Sequence, residues 1–210
     1  MALEIVWSRL GALLIGGSVY AFAIVLAVFL TGIALGAAQG RRMSTETIPT
    51  ALAGVGILAV VGCFAWRWLP HGLALSWDWF GDGSLLPTGA LLLALAMAGA
   101  PVASGMVFSL CLQLGEGSSS STAGKLLAAN TVGGVIGVLL TGTVLMPNIG
   151  IVNTTVVIAC LCVSLAVLLP KQSLKMRLVM GFGLVLLIGT IPPWNVAIYS
   201  TGLYNRIGEF

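Results

Sequence analysis

Apolar residues run along this chain in long blocks, and polar residues gather in the short gaps between them. A bilayer crossing needs about 20 apolar residues as a helix. Six blocks reach that scale: 18–38, 48–68, 88–113, 126–146, 151–169 and 177–193. The pattern therefore predicts an all-α, polytopic transmembrane helix bundle of six full spans. A seventh, shorter run opens the chain, "MALEIVWSRLGALLIGG", and carries Glu4 and Arg9. It reads as a short helix at the interface, or as the back half of a seventh span. Residues 1–193 form one transmembrane domain, and 194–210 form a tail.

Composition sharpens this picture. Of 210 residues, 59% are hydrophobic and 7% charged, with a mean hydropathy of +1.10. A soluble domain carries roughly 25% charged residues, and a water-facing surface cannot be built from so few. The net charge is +3, but its placement is more informative. Arg41, Arg42, Lys125, Lys171, Lys175 and Arg177 fall in alternate gaps, whereas Arg67 and Arg206 fall in the others. The positive-inside rule then assigns 39–47, 114–125 and 170–176 to the cytoplasm. It sends 67–87 and the tail outward. Such gaps are loops and make no nucleic-acid patch. No basic n-region of a cleavable signal precedes the first run, where Glu4 stands instead.

The loop expected at 67–87 carries Trp68, Trp77 and Trp79, with Trp66 at its edge. Amphipathic rings belong at the headgroup level. "GEGSSSSTAG" (115–124) reads as a flexible linker. Within 67–87, "WDWFGDGS", with Asp78 and Asp82, lacks the alternating acidic ligands of a calcium loop and reads as a polar turn. Cys63, Cys111, Cys160 and Cys162 all lie inside apolar runs and make no CxxC pair, so they read as small buried hydrophobes. His71 is the only histidine. No metal centre, cofactor or catalytic acid–base set is expected.

Four features could carry a site. Asn130 sits in an apolar span beside Thr131, with Gly133, Gly134 and Gly137 following. An unpaired amide in hydrocarbon costs a few kcal/mol, so Asn130 needs a partner. Gly133 and Gly137 let a second backbone come close, and Gly32 and Gly36 repeat the spacing. The expected outcome is tight packing of 126–146 on 18–38, with a solute pathway as the alternative. Pro101 should kink or break the 88–113 span. Glu4 and Arg9, five apart, do not stack on one helix face.

Several of these runs resemble one family, the bacterial spermidine synthase-like membrane proteins. Those join a multi-span, major-facilitator-like region to a soluble aminopropyltransferase-type domain. An E-x-x-W-x-R run is matched by Glu4, Trp7 and Arg9, and a G-S-x-Y-A-F run by Gly17, Ser18, Tyr20, Ala21 and Phe22. F-L-x-G-x-A-L-G corresponds to Phe29–Gly36. A-A-N-T-x-G-x-x-x-G and a P-x-x-G turn correspond to Ala128–Thr131, Gly133, Gly137, Pro147 and Gly150. "PPWNVAIYSTGLYNR" is similar to the junction that leads into the enzyme domain. Residues 40–113 match in hydropathy alone. The resemblance implies a membrane domain without its aminopropyltransferase active site. Expected partners are the lipid bilayer and other membrane subunits or a second copy, with no nucleic acid. The implied role is a scaffold or anchor in a bacterial inner membrane. The alternatives are an accessory subunit of a larger membrane complex and a small-solute, polyamine-like transporter.

Overall fold

A computed structural model describes residues 1–15, 19–81, 85–115, 120–170 and 172–191. Among them the chain is helical, without strands. The helices are α1 (Ala2–Ile15), α2 (Val19–Gly40), α3 (Ile48–Phe80), α4 (Leu85–Met97), α5 (Gly99–Leu114), α6 (Ser120–Leu139), α7 (Met146–Leu168) and α8 (Leu174–Gly189). A π-helical segment, Leu140–Leu145, joins α6 to α7. By length and composition, three helical stretches could each cross a bilayer: Val19–Gly40, Thr45–Trp66 and Thr122–Leu168. The bent pair α4–α5 makes a fourth when taken as one span. The six expected blocks therefore do not emerge as six separate full-length helices. The run at 177–193 is the 16-residue α8, and 126–146 continues into 151–169 without a loop.

Two breaks follow from proline and glycine. The 88–113 block bends by 50° between α4 and α5. Pro101 has no N–H, and its ring crowds the carbonyl four residues back, that of Met97. The helix turns at that residue's neighbour, Ala98. The second break is at Gly150, with φ +78° and ψ 173° inside the run 146–168. Side-chain-bearing residues avoid that region. Unbroken, 47 residues would extend about 70 Å, more than twice the ~30 Å hydrocarbon core. Gly150 thus divides the apolar run into two shorter lengths. Gly150→Ala is expected to cost roughly 1–2 kcal/mol, read as a lower midpoint of thermal unfolding in detergent.

Pairings fix the relative directions. Gly32 faces Pro101, Gly36 faces Val102 and Gly40 faces Ser109, so α2 and α5 are parallel. Gly54 meets Ala103, Leu58 meets Gly99 and Gly62 meets Ala96, so α3 runs against α4–α5. Gly56 lies on Ala159, and Cys63 lies beside Thr155, so α3 also runs against α7. The ends of α2, α5 and α7 and the starts of α3, α6 and α8 therefore lie at one end of the bundle. Arg41, Arg42, Lys125, Lys175 and Arg177 gather there, and Lys171 lies outside the described residues.

One expectation along 67–87 is corrected. The segment is no loop through Phe80, because α3 runs 33 residues. At about 1.5 Å each that is about 50 Å, well past a ~30 Å core. Trp66 is buried in the core, whereas Trp68 and Trp79 are 68% and 79% exposed. Trp77 and Asp78 have no described side chains, and Asp82, the linker 116–119 and the tail 194–210 lie outside the described residues.

The main core joins α1, α2, α3, α4 and α5 around Trp7, Val25, Phe29, Trp66, Leu93 and Met97. A second cluster joins α3, α7 and α8 around Val60, Val163 and Leu184. All four cysteines are free. Cys63 is buried, whereas Cys111, Cys160 and Cys162 are half-buried.

Candidate functional site

The residues marked by sequence as packing or pathway candidates fall into three places. The first is the α2–α5 seam. A β-carbon added at Gly32 would meet Pro101 Cβ at 2.7 Å, and one at Gly40 would meet the Met106 carbonyl oxygen at 2.9 Å. One at Gly36 would run into the Val102 carbonyl, and one at Gly105 into that of Ile33. The two backbones are in direct contact through glycine on both helices. Pro101 is buried within this seam, so one residue both bends the α4–α5 rod and fills the surface on which Gly32 rests. Gln113 closes the seam, its Nε2 donating to the Gly40 carbonyl at 2.8 Å. The same carbonyl also accepts the Met43 N–H at 3.1 Å, so two donors converge on the α2 C-terminus.

Sequence reasoning found Gly32, Gly36 and Pro101 but not Gly40, Gly105 or Gln113. A signal was available, since Gly36–Gly40 and Pro101–Gly105 are further i, i+4 steps on the same helix faces. Gln113 carried none, because its partner is 73 residues away.

The second place is α6, and here the expected partner is corrected. The glycines of 126–146 do not meet those of 18–38. A β-carbon at Gly134 would meet Met1, one at Gly137 would meet Ala2, and one at Gly133 would meet nothing within 4 Å. The glycine-lined partner of α2 is α5, while α6 pairs with the start of α1. Hydropathy marks both faces as apolar and cannot rank neighbours. Asn130, Thr131 and Gly133 are exposed. Thr131 returns a hydrogen bond to the Leu127 carbonyl at 2.9 Å, and Asn148 and Asn153 bond to Val144 and Ile149 in the same way. Asn130 has no partner among the described residues. Gly133→Leu is accordingly expected to leave the isolated protein's unfolding midpoint within about 0.5 kcal/mol of wild type. A large loss would show that Gly133 is covered.

The third place is α1. Glu4 is half-buried and Arg9 exposed, and the structure brings them to neither Asn130 nor Pro101. Trp7 from the same run packs on Phe29, with ring centroids 5.8 Å apart and planes tilted by 59°. Tilted rings at that separation are favourable beyond area burial. Two Trp and Phe positions of the sequence motifs thus meet as a helix–helix anchor.

Chemically, the arrangement supplies backbone contact, hydrogen-bond caps and one bare amide. Among the described residues no three His, Cys, Asp or Glu side chains cluster closely enough to hold a metal ion. Comparison with family models, curated proteins and solved structures finds no match for this chain.

Proposed function

We propose that the chain is a non-catalytic integral membrane domain, of the kind found in the spermidine synthase-like membrane proteins it resembles. It acts as a scaffold or anchor through helix–helix packing. The α2–α5 seam is the observation that carries this reading. Gly32, Gly36 and Pro101 are spent on backbone-to-backbone contact that leaves no space for a solute between α2 and α5. In this reading the bundle crosses a bacterial inner membrane six times, α4–α5 forming one crossing and α1 a partial one. The basic end faces the cytoplasm, as the positive-inside rule requires.

A second reading, an accessory subunit of a larger membrane complex, is favoured by Asn130. An amide without a partner on a lipid-exposed helix invites a hydrogen bond from another chain. One experiment separates these readings from transport. The protein is extracted from its native membrane in mild detergent, sized, and melted with and without spermidine. The scaffold and subunit readings predict no spermidine-dependent shift, and the subunit reading adds a fixed set of co-purifying chains. A spermidine-dependent rise in the melting temperature of the lone protein would instead establish a polyamine site.

A further inference from the structure

The turn from α7 to α8 holds two buried polar atoms that lack partners, Arg177 Nε and Gln172 Oε1. Among the described residues, the guanidinium donates from Nη2 to the Leu169 carbonyl at 3.4 Å. Charged donors normally sit at about 2.7–2.9 Å, so this bond is weak, and most of the five guanidinium donors are unspent. Lys175, two residues earlier in the first turn of α8, is exposed. Ser173 caps α8 by accepting from Met176 N–H at 3.3 Å, and the positive end of the helix dipole points at the same turn. No acidic residue occurs anywhere in 168–191. The turn is therefore a concentration of positive charge with no protein counter-charge of its own along the chain.

Its surroundings are apolar. Leu168, Leu174, Leu178 and Val179 are 76%, 72%, 62% and 66% exposed. Leu174, Arg177 and Leu178 fall on one face of α8 by their spacing. An occupant that satisfies both halves of this surface carries a negative head and hydrocarbon tails. A free phosphate would answer the arginine and leave the leucines bare.

We propose that the α7–α8 turn binds an anionic phospholipid. The phosphate is held by Arg177, Lys175 adds positive charge at the same helix end, and the acyl chains lie along Leu174 and Leu178. The Gln172 amide turns its NH2 toward the phosphate, since the two ends of an amide exchange by rotation. The lipid thereby fixes the depth of α8, which has 16 residues. This proposal rests on the membrane reading above and adds a specific ligand to it.

The test is native mass spectrometry of the full chain in detergent, supplied with equal amounts of phosphatidylglycerol and phosphatidylcholine. Wild type is expected to retain phosphatidylglycerol preferentially. Arg177→Gln with Lys175→Gln should lower that retention roughly tenfold. Arg41→Gln with Arg42→Gln, at the same end of the bundle, should change it less than about twofold. Should the double variant fail to fold, Arg177→Lys keeps the charge but loses the planar fork, and an intermediate loss is expected. Equal retention of both lipids would overturn the proposal. So would an equal loss in the Arg41/Arg42 variant, which would reduce the effect to overall charge. Displacement of phosphatidylglycerol by millimolar inorganic phosphate would show a free-anion site instead. A chain that needs detergent yet shows no lipid preference loses only this inference, whereas a chain monodisperse in plain buffer loses the membrane reading itself.

Discussion

Trp7→Ala is expected to cost about 4 kcal/mol of stability. The side chain is 1% exposed and sits where α1 meets α2 and the rest of the main core. Removing an indole from a packed interior loses its contacts and leaves a void that neighbours fill only in part. The effect should be larger than for most core positions because α1 is short. Its 14 residues span about 21 Å, less than a bilayer core, so few other contacts hold it. Val6 and Leu10 are its other deeply buried apolar residues, and they flank Trp7. A double-mutant cycle with Phe29→Ala isolates the ring contact. A coupling of roughly 0.5–1.5 kcal/mol is expected, measured by reversible unfolding in mixed detergent micelles. Strict additivity would show that the two rings do not interact in the membrane-embedded protein.

Gly36→Ala should be the next most damaging change and the more specific one. One methyl group is added, yet it enters the Val102 carbonyl of α5. A flexible side chain could rotate away, but a helix backbone cannot. The helices must separate, which loosens Gly32 on Pro101 and Gly40 on Met106 together. Overpacking of this kind costs about 3 kcal/mol, or roughly 6–12 °C in Tm for a domain of this size. Gly181→Ala is the natural control, since a β-carbon there meets nothing within 4 Å. It should be neutral or slightly stabilising, because alanine is the better helix former. Equal effects at both positions would mean that helix propensity, and not interhelical contact, governs stability.

Contrast between these glycines shows what the sequence could and could not convey. Gly32–Gly36 and Gly133–Gly137 carry the same spacing and the same apolar surroundings. One pair is buried against a second backbone; of the other, Gly133 is open and Gly137 only touches Ala2. Spacing reports that a close approach is permitted on a face. It carries no information on which helix comes, since that depends on all the other helices at once. Local features translated better. Pro101 removes one particular hydrogen bond and crowds one particular carbonyl, and the rod bends within a turn of it. Gly150, in its P-x-x-G run, takes a backbone conformation that glycine tolerates and others avoid.

Segment 67–80 misled for a different reason. Trp, Pro, His and Asp are scattered there among leucines, a mixture that lowers hydropathy and suggests a loop. The backbone nonetheless stays helical, because each turn still places apolar side chains such as Leu69 and Leu73 in the core. Trp66 sits one turn after Gly62, on the face that meets α4, and is buried there, which residue type alone does not convey. The candidate site was legible in residues and not in pairings: the glycines, Pro101 and Asn130 stood out, but α5 as the partner of α2 did not.

The central claim is that the chain is a lipid-embedded bundle whose basic loops share one end. It is tested most directly by labelling single cysteines from one side of sealed membranes. The four native cysteines are first replaced by alanine or serine. Single cysteines are then placed at Met43, Gly124 and Lys175, at the basic end, and at Trp79, at the far end of α3. With an impermeant thiol reagent on oriented vesicles, the first three are expected to react as one group and Trp79→Cys as the opposite group. Labelling of all four from the same side, or a split among the first three, would contradict the account.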